Sequence, residues 1–465
     1  MSSQPKVLVV GASIAGPMAA YWLAKAGAQV TVIERFPHLR KNGQNVDIRT
    51  VGVTVMRRIP GMEEAVRAKV IPMKGISFVD THGRRYGTLT ATGKPDQQSL
   101  VSEYEILRGD LSEVLFDLTK DNKNINYVFG EQVASMKLEQ LPPPRDSLDG
   151  SDQDQITVEF LNGYPTTTYD LVVACDGATS RTRAMGLGCG ARDHVHPANA
   201  WAAYYSTPPG QDLMKGASDG LGHGYNAVGG RMLGIDAPDP ATGSNRIVIM
   251  NFLPRGNDPD GKATQPFRDA ARKGDDALRD FVAKQVEGAG WICDSVAGVI
   301  ADADDFYATE MVQIKLPSLY KGRFALVGDA GYAPGPTGTG TSLAMAGAYV
   351  LAGEIHRHRG DLAAGLKGYD DTMRPMVANL QKIPPLVHGF IAPQTAWGIW
   401  LRNNMFAFVC WTGFIGFAQK YFSAAFAETD KTGLLDYFQV YEFYSAEDLN
   451  FAAQQRMELN KEIFQ

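Results

Sequence analysis

The spacing of apolar positions changes several times along the chain, and each change marks an element. After Lys6 come four apolar residues; an amphipathic stretch then runs to Gly27, and a second apolar run ends at Glu34. An apolar run, a glycine turn, a helix-period stretch and another apolar run predict a βαβ unit of a parallel sheet. Leu111, Val114 and Leu115 fall on one helical face, so a helix is expected from just before Arg108. Strands are expected at 127–129, 156–161 and 169–174, with the Pro- and Asp-rich segment 141–153 as a surface loop.

From about Asp193 to Asp304 the pattern shortens to alternating runs at 200–206, 231–235 and 247–252 between Gly- and Pro-rich turns, the mark of a mostly antiparallel sheet. At 324–328 a buried-strand run returns, followed by a glycine loop and a helical pattern over 343–358. The expected fold class is therefore α/β: a Rossmann-type dinucleotide-binding domain with an inserted, mostly antiparallel β-sheet domain and a helical C-terminal region. The first domain is discontinuous (1–75, 101–192 and 305–383), the second comprises 76–100 and 193–304, and the aromatic-rich remainder is 384–465. No repeat of solenoid length is present.

Composition narrows the function. The 465 residues, 44% of them hydrophobic, suffice for two or three structural units and suit an enzyme. The net charge of −6 comes from 51 acidic and 45 basic residues dispersed along the chain, so no basic stripe is available for phosphates and no nucleic-acid partner is expected. Cys175, Cys189, Cys293 and Cys410 are far apart and form no C-x-x-C pair, against a zinc site or a disulfide framework. A reducing, cytoplasmic location is expected, as the polar start from Met1 to Lys6 lacks the features of a secretory signal. The uncharged apolar run 405–418 is shorter than the roughly 18 residues of a spanning helix. It reads as a buried or interface helix in a monomer or homodimer, with shallow membrane association the lesser alternative because Trp397, Trp400 and Trp411 surround it.

Three motifs carry the chemistry. The first is Gly11-x-Ser13-x-x-Gly16 with Glu34 closing the next strand. Its glycines allow a tight turn, the helix start offers free N–H groups to a pyrophosphate, and Glu34 can accept both hydroxyls of an unphosphorylated ribose. Ser13 replaces the usual middle glycine with the next smallest polar residue. Read alone, the motif is also compatible with an ordinary glycine turn. The second runs from Asp170 through Asp176-Gly177 to Ser180 and Arg183, placing a carboxylate at the carboxyl edge of the sheet, where ligands of open α/β folds bind. The third, Gly328-Asp329 followed by Pro334, Pro336, Gly338, Gly340 and Thr341, leads into a helix. Asp329 suits a ribityl hydroxyl, and the loop can set backbone N–H groups against a flavin edge. Simple strand-ending turns and a helix cap are the bland readings of these two.

In this order, over about residues 7–374, the motifs resemble those of the class A flavoprotein monooxygenases, the family of para-hydroxybenzoate and salicylate hydroxylases and of tetracycline-inactivating monooxygenases. The resemblance implies that Gly11, Ser13, Gly16, Glu34 and Arg35 hold the ADP half of FAD. It places Arg108 near flavin and pyrophosphate, Asp176 and Gly177 at the FAD and pyridine-nucleotide site, Asp329 at the ribityl chain, and Gly338, Gly340 and Thr341 at the ring. The segment 44–49, with Asp47 as a contact, would lie along the flavin. The chain departs from the family at Gly331 and Tyr332, where a His often follows Gly-Asp-Ala-Ala, and in a loop about one residue short between Pro336 and Gly338.

The resemblance further implies that NAD(P)H, bound transiently, reduces FAD, and that O₂ adds to form a C4a-hydroperoxide that oxygenates a small phenolic or polyketide-like substrate. Within the inserted sheet Tyr204, His223, Tyr225 and Arg231 are candidates for orienting or deprotonating that substrate, though each also reads as an ordinary core or surface residue. Ser13, Ser180 and Ser342 lie in no G-x-S-x-G elbow, against serine hydrolysis. Trp397-x-x-Trp400 is not the Trp-x-Trp-x-Ile-Pro of flavin halogenases. A flavoprotein oxidase or dehydrogenase, and a non-redox FAD-containing cyclase or binding protein, remain alternatives, since the same residues hold the cofactor in each.

Overall fold

In the strand Lys6–Val10 every residue after Lys6 is buried, as required of a strand covered on both faces. It lies inside a six-stranded sheet whose order is Tyr320–Lys321, Phe324–Leu326, Leu171–Ala174, Lys6–Val10, Gln29–Glu34 and Ile125–Phe129. All neighbours are parallel except the short Tyr320–Lys321 edge. The computed structural model describes residues 4–40, 43–71, 73–90, 103–139, 154–215, 219–254, 261–382, 389–412 and 434–438. The loop expected at 141–153 and most of 384–465 lie outside the described residues.

The run expected as one strand at 169–174 is two. Thr167–Tyr169 pairs with Gln155–Phe160 in a three-stranded antiparallel sheet, whereas Leu171–Ala174 joins the parallel one. Asp170 separates them: its carboxylate accepts the Lys6 N–H at 2.7 Å and the Gln155 side-chain amide at 2.8 Å, an Asx-type competitor to continued pairing. The helix expected from Arg108 is observed as Arg108–Asp117, and that expected at 343–358 as Gly340–Arg357. The latter packs between Ala15–Lys25 and Leu362–Leu380 and is buried at every position from Thr341 through Ile355. Such burial suits its small and apolar sequence; the one buried charge, Glu354, accepts the Tyr437 hydroxyl at 2.6 Å.

A second sheet has seven strands in the order Tyr307–Ile314, Val195–Ser206, Arg246–Phe252, Arg231–Ile235, Leu221–Ala227, Gly75–Val79 and Arg85–Thr90. Only the Leu221–Ala227 and Gly75–Val79 pair is parallel. The sheet continues past residue 304, because Tyr307–Ile314 pairs along Val195–Ser206. Three helices in the same stretch, Gln265–Lys273, Asp275–Val286 and Cys293–Gly298, were not expected from the Gly- and Pro-rich pattern. They cover one sheet face through Phe267, Leu278, Val282 and Val296, against Trp201, Ala203, Tyr205, Leu233 and Ile249. Side chains alternate across a strand. Tyr204, Met232, Val248 and Met250 therefore look the other way, towards the parallel-sheet unit.

The helix Ala396–Trp411 packs against the edge strand Arg85–Thr90, with Phe406 and Phe78 ring centroids 5.2 Å apart. Among the described residues no helix is long and apolar enough to cross a membrane.

Candidate active site

At the carboxyl end of the parallel sheet the first motif closes on itself. A Cβ on Gly16 would collide with the Gly11 carbonyl oxygen, and one on Gly11 would stand 2.8 Å from the carbonyl oxygen of Cys175, so the first motif sits directly on the second. Glu34 is fixed beneath this turn by accepting the N–H groups of Ala12 (2.9 Å) and Phe36 (3.1 Å). A carboxylate has about four acceptor positions, so it retains capacity for ribose hydroxyls. Ser13 takes the middle position with its hydroxyl 3.3 Å from that of Ser112, on the helix that Arg108 begins.

These residues open onto a cleft of about 860 Å³ lined also by Arg35, Arg40, Arg108, Asp176, Gly177 and Thr182. The Arg35 and Arg40 guanidinium groups lie 4.8 and 5.0 Å from the Phe36 ring centre, and Arg108 lies 5.9 Å from that of Tyr307. Burial and then the Arg108 charge lower the Arg40 pKa. Nη1 of Arg108 is buried without an acceptor among the described residues. An unsatisfied buried cation beside a glycine turn and a helix start fits a pyrophosphate.

The second motif is internally braced. Both oxygens of Asp176 are engaged, one by the Ser180 hydroxyl and the other by the Thr182 hydroxyl at 2.9 Å; burial raises its pKa against those bonds. Ser180 caps the helix Arg181–Leu187. Arg183, to which the sequence reading gave no role, is 1% exposed and donates to the carbonyls of Ala330 (2.8 Å), Ala178 (3.1 Å) and Ala191 (3.1 Å). It fastens the second motif to the third. Its sequence signal is the Arg three residues after the capping serine.

In the third motif Asp329 is exposed between the buried residues Gly328 and Ala330. The protein packed around its carboxyl raises the pKa and the Arg108 charge counteracts this. A Cβ on Gly340 would be 3.6 Å from Asp329 Oδ1, which places this carboxyl beneath the first turn of the helix Gly340–Arg357. Gly338 has φ +71° and stands clear of other groups; Thr341 is buried in the turn that follows. Asp47 pairs with Arg49 at 3.1 Å, and the Arg49 N–H donates to Ser342 Oγ at 2.9 Å, so the segment after the second strand abuts the same helix start.

A second cavity, about 270 Å³, lies between this unit and the free face of the seven-stranded sheet. One wall is Gln44, Asn45, Glu105 and Leu107; the other includes Tyr204, Met232, Val248 and Met250. Of the four catalytic candidates, Tyr204 presents its side chain here, with burial and then Tyr307 pushing its hydroxyl up to about 12. Tyr225 and Arg231 are not brought to this cavity: Tyr225 donates to the Ala289 carbonyl (2.6 Å), and Arg231 to those of Val228 and Gln285 (both 2.9 Å). His223 shares the Tyr225 face, two residues along the same strand. Its strand borders the cavity, but its ring lies 6.3 Å from Trp291 and its Nε2 accepts from Arg85 at 3.1 Å.

Three cavity carboxyls escaped the sequence reading, Glu105, Asp236 and Asp305. Burial, Asp47 and Asp236 push Glu105 up to about 8, against the hydrogen bond from Asn45 and the charge of Arg49. Burial also raises Asp236, with Arg246 acting against it. Only the alternation around Glu105 hinted at this, since Tyr104 and Ile106 are apolar and face the core.

Residues 4–381 match the family model described as FAD binding domain. The FAD-dependent monooxygenase asL4 of Sarocladium schorii is 34% identical over 423 residues, covering 86% of this chain and 91% of that protein. Monooxygenase CTB7 of Cercospora beticola is 30% identical over 420 residues, covering 89% and 94%. Among solved structures, the tetracycline destructase Tet(51) superposes with a TM-score of 0.66 at 25% identity, over 91% of this chain and 99% of that one.

Proposed function

The chain belongs to the FAD-binding-domain family of class A flavoprotein monooxygenases, and on that premise we propose that it uses NAD(P)H and O₂ to oxygenate a small phenolic or polyketide-like compound. The observation that carries this reading is the 270 Å³ cavity between the FAD-binding unit and the seven-stranded sheet, apolar along Met232, Val248 and Met250 and polar at Asn45, Glu105 and Tyr204. A mostly apolar chamber with a few fixed polar groups suits an aromatic or polyketide skeleton bearing hydroxyl groups. The relatives named as FAD-dependent monooxygenases and the likeness to a tetracycline destructase support the same class of chemistry.

Bound FAD supplies the redox and oxygen chemistry, and the protein supplies position and shelter. Glu34 would take the adenosine ribose, the turn from Gly11 to Gly16 and Arg108 the pyrophosphate, and Asp329 the ribityl chain. Gly338, Gly340 and Thr341, at the start of the long helix, would approach the ring, with Asp47 on the segment beside it. Asp176, its oxygens already engaged, acts by shaping the loop around Gly177. The seven-stranded sheet serves as the substrate domain and excludes water from the chamber. Tyr204 remains a donor at all ordinary pH values and orients the substrate.

The test is an absorbance spectrum of the purified protein followed by anaerobic addition of NADPH or NADH with a panel of phenols and polyketide-like compounds. Flavin bands that bleach with nucleotide, faster with one compound present, are the expected result. Bound flavin that no nucleotide reduces would favour an oxidase or a non-redox protein.

A further inference from the structure

Of the three carboxyls that line the cavity, Glu105 lies on the wall formed by the FAD-binding unit, and none of the three motifs accounts for it. Glu105 begins the strand Glu105–Leu107, which pairs antiparallel with Asn45–Asp47, with Asp47 directly opposite. Alternation sends Tyr104 and Ile106 into the core and turns Glu105 and Leu107 to the cavity. The Glu105 carbonyl is tied to the Ile71 N–H at 2.9 Å, and its Oε1 accepts from Asn45 Nδ2 at 3.0 Å. Among the described residues Oε2 has no hydrogen-bond partner.

We infer that Glu105 is the base that removes the proton from an acidic hydroxyl, phenolic or enolic, of the substrate held in this cavity, an inference that rests on the reading of the cavity as the substrate chamber. In the step the substrate O–H bond breaks, the proton passes to Glu105 Oε2, and the electron pair stays on the substrate oxygen. The resulting phenolate or enolate is more electron-rich at the carbon that receives the oxygen atom.

The surrounding charges suit the task. From its own side Glu105 faces Asp47, which is paired with Arg49; from the sheet it faces Asp236, Arg246 and Asp305, with Tyr204 beside them. Among the described residues no cation hydrogen-bonds to Glu105, whereas Asp47 has Arg49 at 3.1 Å. The carboxyl accordingly holds its proton up to about 8. That proton affinity approaches that of a phenol, whose ordinary pKa is about 10, and the matched affinities favour transfer once the carboxyl has lost its own proton, as pH rises through about 8. Asp47 and Asp236 are less suited: one is neutralised by its arginine, and the other lies beside Arg246.

The test uses FAD-loaded wild type, Glu105→Gln and Glu105→Asp, with phenol, 4-methylphenol and 4-ethylphenol as probes, whose ordinary pKa is about 10 and whose ultraviolet bands report ionisation. In the wild type the bound probe should be increasingly anionic as pH rises through about 8. Glu105→Gln should bind it neutral at all pH values below its free pKa, with any oxygenation slowed by about 10²-fold or more. Glu105→Asp should recover the ionisation step in part. The same anionic spectrum and pH profile in Glu105→Gln as in wild type would overturn the role of Glu105 while leaving the chamber intact. If no probe perturbs the flavin spectrum of the wild type, the chamber reading fails, and this inference with it.

Discussion

The Tyr332 hydroxyl occupies the space that a Cβ on Gly347 would need, and the ring carbon bearing it would be 2.9 Å from that Cβ. Tyr332 is one of the two positions at which the third motif departs from its family, and Gly347 lies two turns into the helix whose first turn covers Asp329. The larger side chain is thus accommodated by the absence of one further along, and Tyr369 completes the contact with its hydroxyl 3.5 Å from that of Tyr332. Gly347→Ala should destabilise the protein by about 1–3 kcal/mol, as overpacking does. It should also lower FAD content by displacing the helix start. Adding Tyr332→Phe removes the closest atom and should restore part of both. Urea unfolding and flavin absorbance of the single and double variants check this; an alanine variant as stable as wild type would refute the packing argument.

Arg183 joins the second and third motifs through three carbonyls, of which that of Ala330 is buried, and no other described donor replaces it. Arg183→Met would leave the buried Ala330 carbonyl unsatisfied, at about 1–3 kcal/mol, while the more exposed Ala178 and Ala191 carbonyls can turn to water. Arg183→Lys keeps a charge but cannot span all three. FAD retention after gel filtration should therefore fall in the order wild type, lysine, methionine. Equal retention in all three would mean that the two motifs hold their places without this arginine.

Tyr204 and Tyr225 lie in the same seven-stranded sheet, with two strands between theirs, but on opposite faces, and the difference should be measurable. Tyr225→Phe loses the bond to the Ala289 carbonyl and should cost about 1 kcal/mol of stability while leaving substrate-stimulated flavin bleaching within about twofold. Tyr204→Phe should leave stability near wild type and weaken that stimulation. The opposite pattern would place the substrate on the helix-covered side of the sheet.

The parallel unit was readable because its inner strands, Lys6–Val10, Leu171–Ala174 and Phe324–Leu326, are, Lys6 apart, continuous apolar runs that are buried. The break at Asp170 was not, because the aspartate competes for backbone and side-chain donors, of Lys6 and Gln155, that lie far away in sequence. In the second unit strands at 200–206, 231–235 and 247–252 emerged from alternation, while Gly274, Gly288 and Gly290 masked the helices between and beside them. The cofactor motifs were legible as fixed spacings. The cavity was not, since Glu105 and Asp236 come together only when a short strand of one unit faces the sheet of the other. Tyr225 and Arg231 were chosen by residue type, and type says nothing of which face a strand residue occupies.

Next to the cavity wall, Glu63 holds the Tyr104 hydroxyl at 2.5 Å, Arg67 at 2.8 Å and Arg57 at 3.1 Å. Burial opposes its ionisation, but the hydrogen bonds from Tyr104, Arg67 and Arg57 prevail and hold its pKa at about 2 against the ordinary 4.5. A folded pKa below the unfolded one means that the unfolded chain binds the proton first. The stabilisation is therefore complete above about pH 5 and is lost as pH falls from there towards 2. Glu63→Gln, which cannot ionise, should be less stable than wild type at about pH 6, with the gap narrowing at about pH 3. Urea midpoints of the two proteins across that range give the comparison. A gap that stays constant with pH would show that Glu63 contributes packing and neutral hydrogen bonds, and that its charge does not stabilise the strand from which Glu105 projects.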